Sequence, residues 1–150
     1  MEQLTFAQQL QQFVANHTIM VAAWVAIFVA VLVSLYKGAT SKITVVDNAK
    51  ATQLINNEDA VILDVRADND FRAGHIIESV HLLPSEIKAN KLQVIEKYKS
   101  RPVIVVDNNG FTAQGLANSL AKQGFEKVYA LKEGILGWRA ANLPLVKKHK

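Results

Sequence analysis

Hydrophobic positions recur along the chain in three rhythms, and each predicts a different kind of element. In the leader, residues 1–17, Leu4, Ala7, Leu10, Phe13 and Val14 fall at helical spacing opposite Gln8, Gln9, Gln11 and Gln12. This pattern predicts a short amphipathic helix suited to the outer membrane–water interface. The second rhythm is no rhythm: Ile19–Tyr36 holds 18 residues without a charge, about 27 Å of helix at ~1.5 Å per residue. A transmembrane helix is therefore expected over 18–36. A cleaved signal would ask for a basic n-region, whereas the leader carries Glu2 and neither Lys nor Arg. Ala22, Ala26, Ala30 and Ser34 repeat every four residues and form a candidate helix–helix seam. Alanine is common enough in such helices that chance accounts for the repeat equally well.

The third rhythm begins after a linker at 37–42, where Gly38, Thr40 and Ser41 sit between Lys37 and Lys42. Ile43–Val46 reads as a strand, and Asp47 as the N-cap of a helix burying Ala51, Leu54 and Ile55. Ala60–Val65 and Val103–Val106 are continuous apolar strands separated by a long loop and a helix around Leu92–Tyr98. A turn at Asn108–Gly110 leads to a helix with Ala113, Leu116, Ala117, Leu120 and Ala121 inward, ended by Gly124. Val128–Leu131 is a further strand, and Ile135–Ala141 a last helix before Pro144. Strands bare of charge on both faces and alternating with helices predict an α/β domain over 43–146, a parallel sheet flanked by helices, followed by a basic tail at 147–150.

Composition changes this picture in two ways. The net charge is +4, and all 17 Lys and Arg residues lie at position 37 or later. Cations flanking a span stay on the cytoplasmic side, so the N-terminus is expected outside and the domain inside. Cysteine is absent, which removes disulfides, Cys-ligated metal sites and any thiol nucleophile. Nucleic acid is not an expected partner, because the cations are spread among carboxylates and aromatic residues are few. His75 and His81, with His17 and His149 remote, show no metal-ligand spacing; neither a metal nor a cofactor is expected, and His75 reads as a turn histidine. The tail Lys147-Lys148-His149-Lys150 reads as a solvated end that can also touch anionic lipid.

In a parallel sheet, ligands bind beyond the carboxyl ends of the strands. Two loops qualify: Asp107-Asn108-Asn109-Gly110-Phe111-Thr112, and the loop opened by Asp64-Val65-Arg66 and running to Gly74-His75-Ile76. The stretches DVRADNDFRAGHIIESVHLLP (64–84) and PVIVVDNNGFTAQGLANSLAKQGFEKVYALKEGILGW (102–138) resemble the two motif-bearing halves of the rhodanese family. Glu133 stands where the family carries the first glycine of a Gly-Gly pair. Residues 43–146 are covered by the likeness, and the preceding span makes the chain similar to membrane-anchored members from Gram-negative bacteria, which implies the inner membrane.

The resemblance implies a sulfurtransferase loop that opens with a cysteine, carries sulfur as a persulfide and holds it with loop N–H groups and an arginine at the sixth position. Here Asp107 occupies the cysteine position and Thr112 the arginine position. A carboxylate cannot carry a persulfide, and no other residue of the chain can replace the thiol. Two readings of Asp107 follow. In one it fills its own anion nest; in the other it is an aspartyl nucleophile of a hydrolase or phosphatase, although the loop offers no cation to clamp a phosphate. Asp64 and Arg66 either orient a ligand or form an internal ion pair. The expected function is a membrane-anchored, catalytically inactive rhodanese-like module that binds a protein partner through the face of Asp64, Arg66, Asp107 and Thr112, through the helix seam, or both. Its expected partners are the lipid bilayer and either another membrane protein or a second copy.

Overall fold

The apolar runs read as strands at 60–65, 103–106 and 128–131 become the middle of a five-stranded sheet. The computed structural model describes residues 3–39 and 43–147. By contacts the chain divides into two compact units, Met1–Ser41 and Lys42–Lys150.

The first unit holds α1 (Phe6–Asn16) and α2 (Thr18–Ala39). Thr5 caps α1: its hydroxyl accepts from the Gln8 N–H at 3.4 Å, while the Thr5 N–H donates to the Gln8 side-chain oxygen at 2.9 Å. Phe6, Leu10, Phe13 and Val14 are all exposed. Within α2, Thr18–Tyr36 has a mean hydropathy of 2.6 and no buried residue, so this helix is long and apolar enough to cross a membrane. Ala22, Ala26, Ala30 and Ser34 are exposed along it. Helix α2 continues through Ala39, three residues into the segment read as a linker. A single Gly38 costs only about 1 kcal/mol in a helix and does not stop one. The remaining linker positions 40–42 and the tail positions 148–150 lie outside the described residues.

The second unit runs β1 (Ile43–Val46), α3 (Asn48–Glu58), β2 (Val61–Asp64), α4 (Asp68–Ala73), β3 (Val80–His81), α5 (Pro84–Lys88), β4 (Val103–Val106), α6 (Phe111–Lys122), β5 (Val128–Leu131) and α7 (Gly134–Ala140). The strands lie in the order β1-β5-β4-β2-β3, and every pairing is parallel. β4 is central, and its four residues are fully buried because the alternation of a strand sends them to two different cores. Val103 and Val105 join Leu63, Val65, Leu116 and Leu120 on one face. Ile104 and Val106 join Ile62, Leu54, Ile135 and Trp138 on the other. Two covered faces explain why the strands read as unbroken apolar runs.

Asp47 caps α3 as expected, its carboxylate accepting from the Lys50 N–H at 2.8 Å. The segment from Arg66 to Asn90 is more ordered than the long loop foreseen, since it holds α4, β3 and α5. Asp68 and Asp70 in the first turn of α4 and Arg72 in its last favour a helix of only six residues, too short to show a periodicity. Conversely, the helix expected around Leu92–Tyr98 is reduced to a 3-10 turn at Glu96–Tyr98. Leu92 and Ile95 are buried just before it, on a turn closed by the Ile95 N–H donating to the Leu92 carbonyl at 2.9 Å, which supplies their i, i+3 spacing without a helix.

Candidate functional site

The strands end at one edge of the sheet, and the two loops singled out from the sequence meet there. A cleft of about 310 Å³ is lined by Val65, Arg66, Ala67, Asp70, Pro84, Asp107, Asn108, Asn109 and Thr112. One wall comes from the β2–α4 connection and Pro84, the other from the loop that joins β4 to α6.

Asp107 follows β4 directly and is 5% exposed. Its carboxylate turns back into its own loop. Oδ1 accepts from the Gly110 N–H at 2.6 Å, and Oδ2 from the Thr112 N–H at 2.8 Å and the Ala113 N–H at 3.2 Å. Two of these donors belong to the first turn of α6, where N–H groups have no partner within the helix and the helix dipole is positive. The Asn109 side-chain oxygen accepts from the Phe111 N–H at 3.2 Å.

The main chain of the loop is held from the other side by α7. The Ile135 N–H donates to the Asp107 carbonyl at 2.9 Å, and the Leu136 N–H to the Asn108 carbonyl at 3.0 Å. This contact needs two glycines. Gly134 has φ +58°, and a Cβ there would collide with the Asp107 carbonyl oxygen and come within 2.7 Å of the Asn108 carbonyl carbon. Gly110 has φ +93°, and a Cβ there would run into the Lys132 carbonyl.

Asp64 and Arg66 form an ion pair with side chains 1% and 2% exposed. Arg66 Nη2 donates to Asp64 Oδ2 at 2.8 Å and Nε to Oδ1 at 3.0 Å. Nη2 also reaches the Gly74 carbonyl at 2.6 Å, so the guanidinium ties the end of β2 to the end of α4. Phe71 of α4 is stacked between His75 and His81, with ring centroids 4.0 and 4.5 Å away. His75 Nδ1–H donates to the Phe71 carbonyl at 2.7 Å, and His81 Nε2–H to the Arg66 carbonyl at 2.7 Å. Of the two readings of Asp64 and Arg66, the structure has the internal ion pair, and both histidines are spent on shaping the same wall.

Of the residues singled out in the sequence, Arg66, Asp107, Asn108, Asn109 and Thr112 meet at the cleft, and Gly110 lies buried beneath it. Asp64 stands behind Arg66. Phe111 points away from the core and is 82% exposed. The seam residues Ala22, Ala26, Ala30 and Ser34 belong to the other unit. Sequence reasoning missed Asp70 and Pro84 as cleft walls and Leu136, 59% exposed beside Asn108. The Pro after two leucines was a visible signal for a helix start; nothing local marked Leu136.

Fold and loop geometry together define a rhodanese-like module whose β4–α6 loop opens with a carboxylate. The rhodanese-like domain family matches residues 47–141, and the chain belongs to that family. It is 54% identical over 140 residues to YibN of Escherichia coli K12, described as uncharacterized, covering 93% of this chain and 98% of that one. It is also 39% identical over 93 residues to the thiosulfate sulfurtransferase GlpE of Pseudoalteromonas translucida, covering 62% of this chain and 86% of that enzyme. Among solved structures, a rhodanese-related protein from Thermoplasma volcanium has the same fold, with a TM-score of 0.62 at 21% identity over 70% of this chain and 99% of that one.

The two carboxylates carry different burdens, and substitution separates them. Asp107→Ala should destabilise the second unit by about 1–2 kcal/mol, the range for losing a cap or charged hydrogen bonds. Asp64→Ala should cost about 3–5 kcal/mol, because it strands the Arg66 charge in the interior. Urea unfolding in detergent micelles, followed by Trp138 fluorescence with Trp24 replaced by Phe, reads both. An Asp107→Ala chain as stable as its parent would mean that the carboxylate is strained rather than stabilising.

Proposed function

We propose that the chain is a membrane-anchored, catalytically inactive rhodanese-like module that binds a protein partner at the cytoplasmic face of a bacterial inner membrane. The observation that carries this reading is the Asp107 carboxylate. It accepts the N–H groups of Gly110, Thr112 and Ala113, so the place where the loop would cradle a substrate anion is filled by the chain itself. The GlpE relative is named a thiosulfate sulfurtransferase, but a persulfide needs a thiol, and this chain has no cysteine. The reading of Asp107 as a phosphoryl-transfer nucleophile has less support: both carboxylate oxygens are engaged, and the nearby Arg66 is tied through Nε and Nη2 to Asp64 and Gly74.

Beside the filled loop stand Phe111 and Leu136, both largely exposed. Large exposed apolar side chains flanking a polar cleft suit a protein partner, with the aromatic ring as an anchor. The span Thr18–Tyr36 and the Lys37 and Lys42 flank support anchoring with the domain on the cytoplasmic side. The seam Ala22, Ala26, Ala30 and Ser34 is a second surface, for another membrane protein or a second copy.

A photo-crosslinking amino acid at position 111 should trap a protein in intact membranes, whereas one at Gln93, beside Lys122 at the far end of α6, should not. Equal trapping from both positions would refute a specific face. Phosphoester turnover with Mg²⁺ that Asp107→Asn abolishes would establish the nucleophile instead. A reporter fused after Lys150 is expected to be active on the cytoplasmic side, and a periplasmic signal would overturn the orientation.

Asp107→Cys should give a thiol that alkylates readily at the α6 N-terminus yet transfers little sulfur from thiosulfate to cyanide. Adding Thr112→Arg supplies the cation that offsets repulsion between thiolate and thiosulfate, and measurable transfer is expected. Equal turnover in the two variants would show that position 112 is not the missing part.

A further inference from the structure

Asn109–Gly110 is the one Asn–Gly pair in the sequence, and it lies within the loop that Asp107 closes. Such a pair is chemically unstable when free. The main-chain nitrogen of the glycine attacks the side-chain carbonyl carbon of the asparagine, a new C–N bond forms, the bond to the side-chain nitrogen breaks, and ammonia leaves with the glycine's proton. Water then opens the resulting succinimide at either carbonyl, giving aspartate or isoaspartate. Glycine favours this route because it has no Cβ to obstruct the ring and turns freely.

Both reacting groups are tied down here. Asn109 is exposed to water, but its side-chain oxygen accepts from the Phe111 N–H at 3.2 Å. The attacking nitrogen is that of Gly110, which is buried and donates its proton to Asp107 Oδ1 at 2.6 Å. Removing that proton would create an anion against a carboxylate, which like-charge repulsion opposes. Gly110 also packs its Cα against the Lys132 carbonyl, so it cannot swing toward the Asn109 side chain without leaving its place.

We propose that Asn109–Gly110 is a site of spontaneous deamidation whose rate is governed by the hold of the Asp107 carboxylate on the Gly110 N–H. This goes beyond the partner-binding reading and does not rest on it. While the carboxylate stays in the loop, the junction is protected; whatever draws it out starts the reaction. Cyclisation consumes the Gly110 N–H and so removes one of the three donors that hold Asp107. Ring opening adds a carboxylate beside the existing one, and in the isoaspartyl product it lengthens the main chain by a methylene. The change cannot be reversed by restoring the hydrogen bond, and it alters the face that Phe111 and Asn108 present.

The test is peptide mapping by mass spectrometry of the full chain in detergent micelles during prolonged incubation in mildly alkaline buffer, with and without urea. In urea, the parent, Asp107→Ala and Asp107→Asn chains should all deamidate at Asn109 at one rate. Without urea, the parent should be much slower than in urea, and Asp107→Ala roughly tenfold faster than the parent, in proportion to the larger open population of the loop. Asn57 and Asn90, measured in the same digests, report whether a variant has unfolded as a whole; in that event Asp107→Asn, which keeps the shape of the side chain, carries the comparison. A parent chain that deamidates at Asn109 as fast folded as in urea would overturn the proposal, as would folded variants no faster than the parent.

Discussion

One carboxylate decides what the carboxyl edge of this sheet can do. The first turn of any α-helix presents N–H groups with no partner in the helix, and a loop that folds over them creates a place for a negative charge. In this chain the charge is built in, on Asp107 at the end of β4. Being covalently attached, it occupies that place at an effective concentration that a dissolved anion does not match. The dependence is mutual, since a buried carboxylate deprived of those three donors would be costly. Loop and side chain hold each other, and α7 closes the arrangement from behind through the Asp107 and Asn108 carbonyls.

The frame around the loop is distinct from the chemistry that related frames carry. Asp64, Arg66 and Gly74 form a staple through the Arg66 Nε and Nη2 donors, while Gly134 lets α7 approach the loop. These are requirements of shape rather than of chemistry at the loop. Function is therefore to be read from position 107 and its surroundings, with the fold as support only.

Strands β1, β2, β4 and β5 and helices α3, α6 and α7 were legible, because β2 and β4 are covered on both faces and α6 on one. Asp47 as a cap, Asp107 at a strand end and the uncharged stretch before Tyr36 were equally plain. What escaped was short or non-local. Helices α4 and α5, of six and five residues, complete less than two turns and leave no periodic trace. Leu92 and Ile95 are buried from a single turn ahead of the 3-10 turn at Glu96–Tyr98, at the spacing a helix would give them. Leu136 beside Asn108, and the glycine pair that lets α7 approach the loop, depend on segments more than twenty residues apart coming together, which no local pattern encodes.

The strand order has a consequence for how the second unit comes into being. Among the described residues its first strand, β1, pairs with its last, β5, and with no other, so Ile43 must wait for Val128, 85 positions later, before its ladder can form. During synthesis β1 leaves the ribosome early yet has no native neighbour until nearly the whole chain has followed. Closure of so long a loop carries the largest entropic cost of the four pairings, since the partners in β2–β3, β4–β5 and β2–β4 lie only 17, 25 and 42 positions apart. A nascent chain interrupted before position 128 therefore carries a permanently unpaired strand, an invitation to aggregation that a finished chain withdraws.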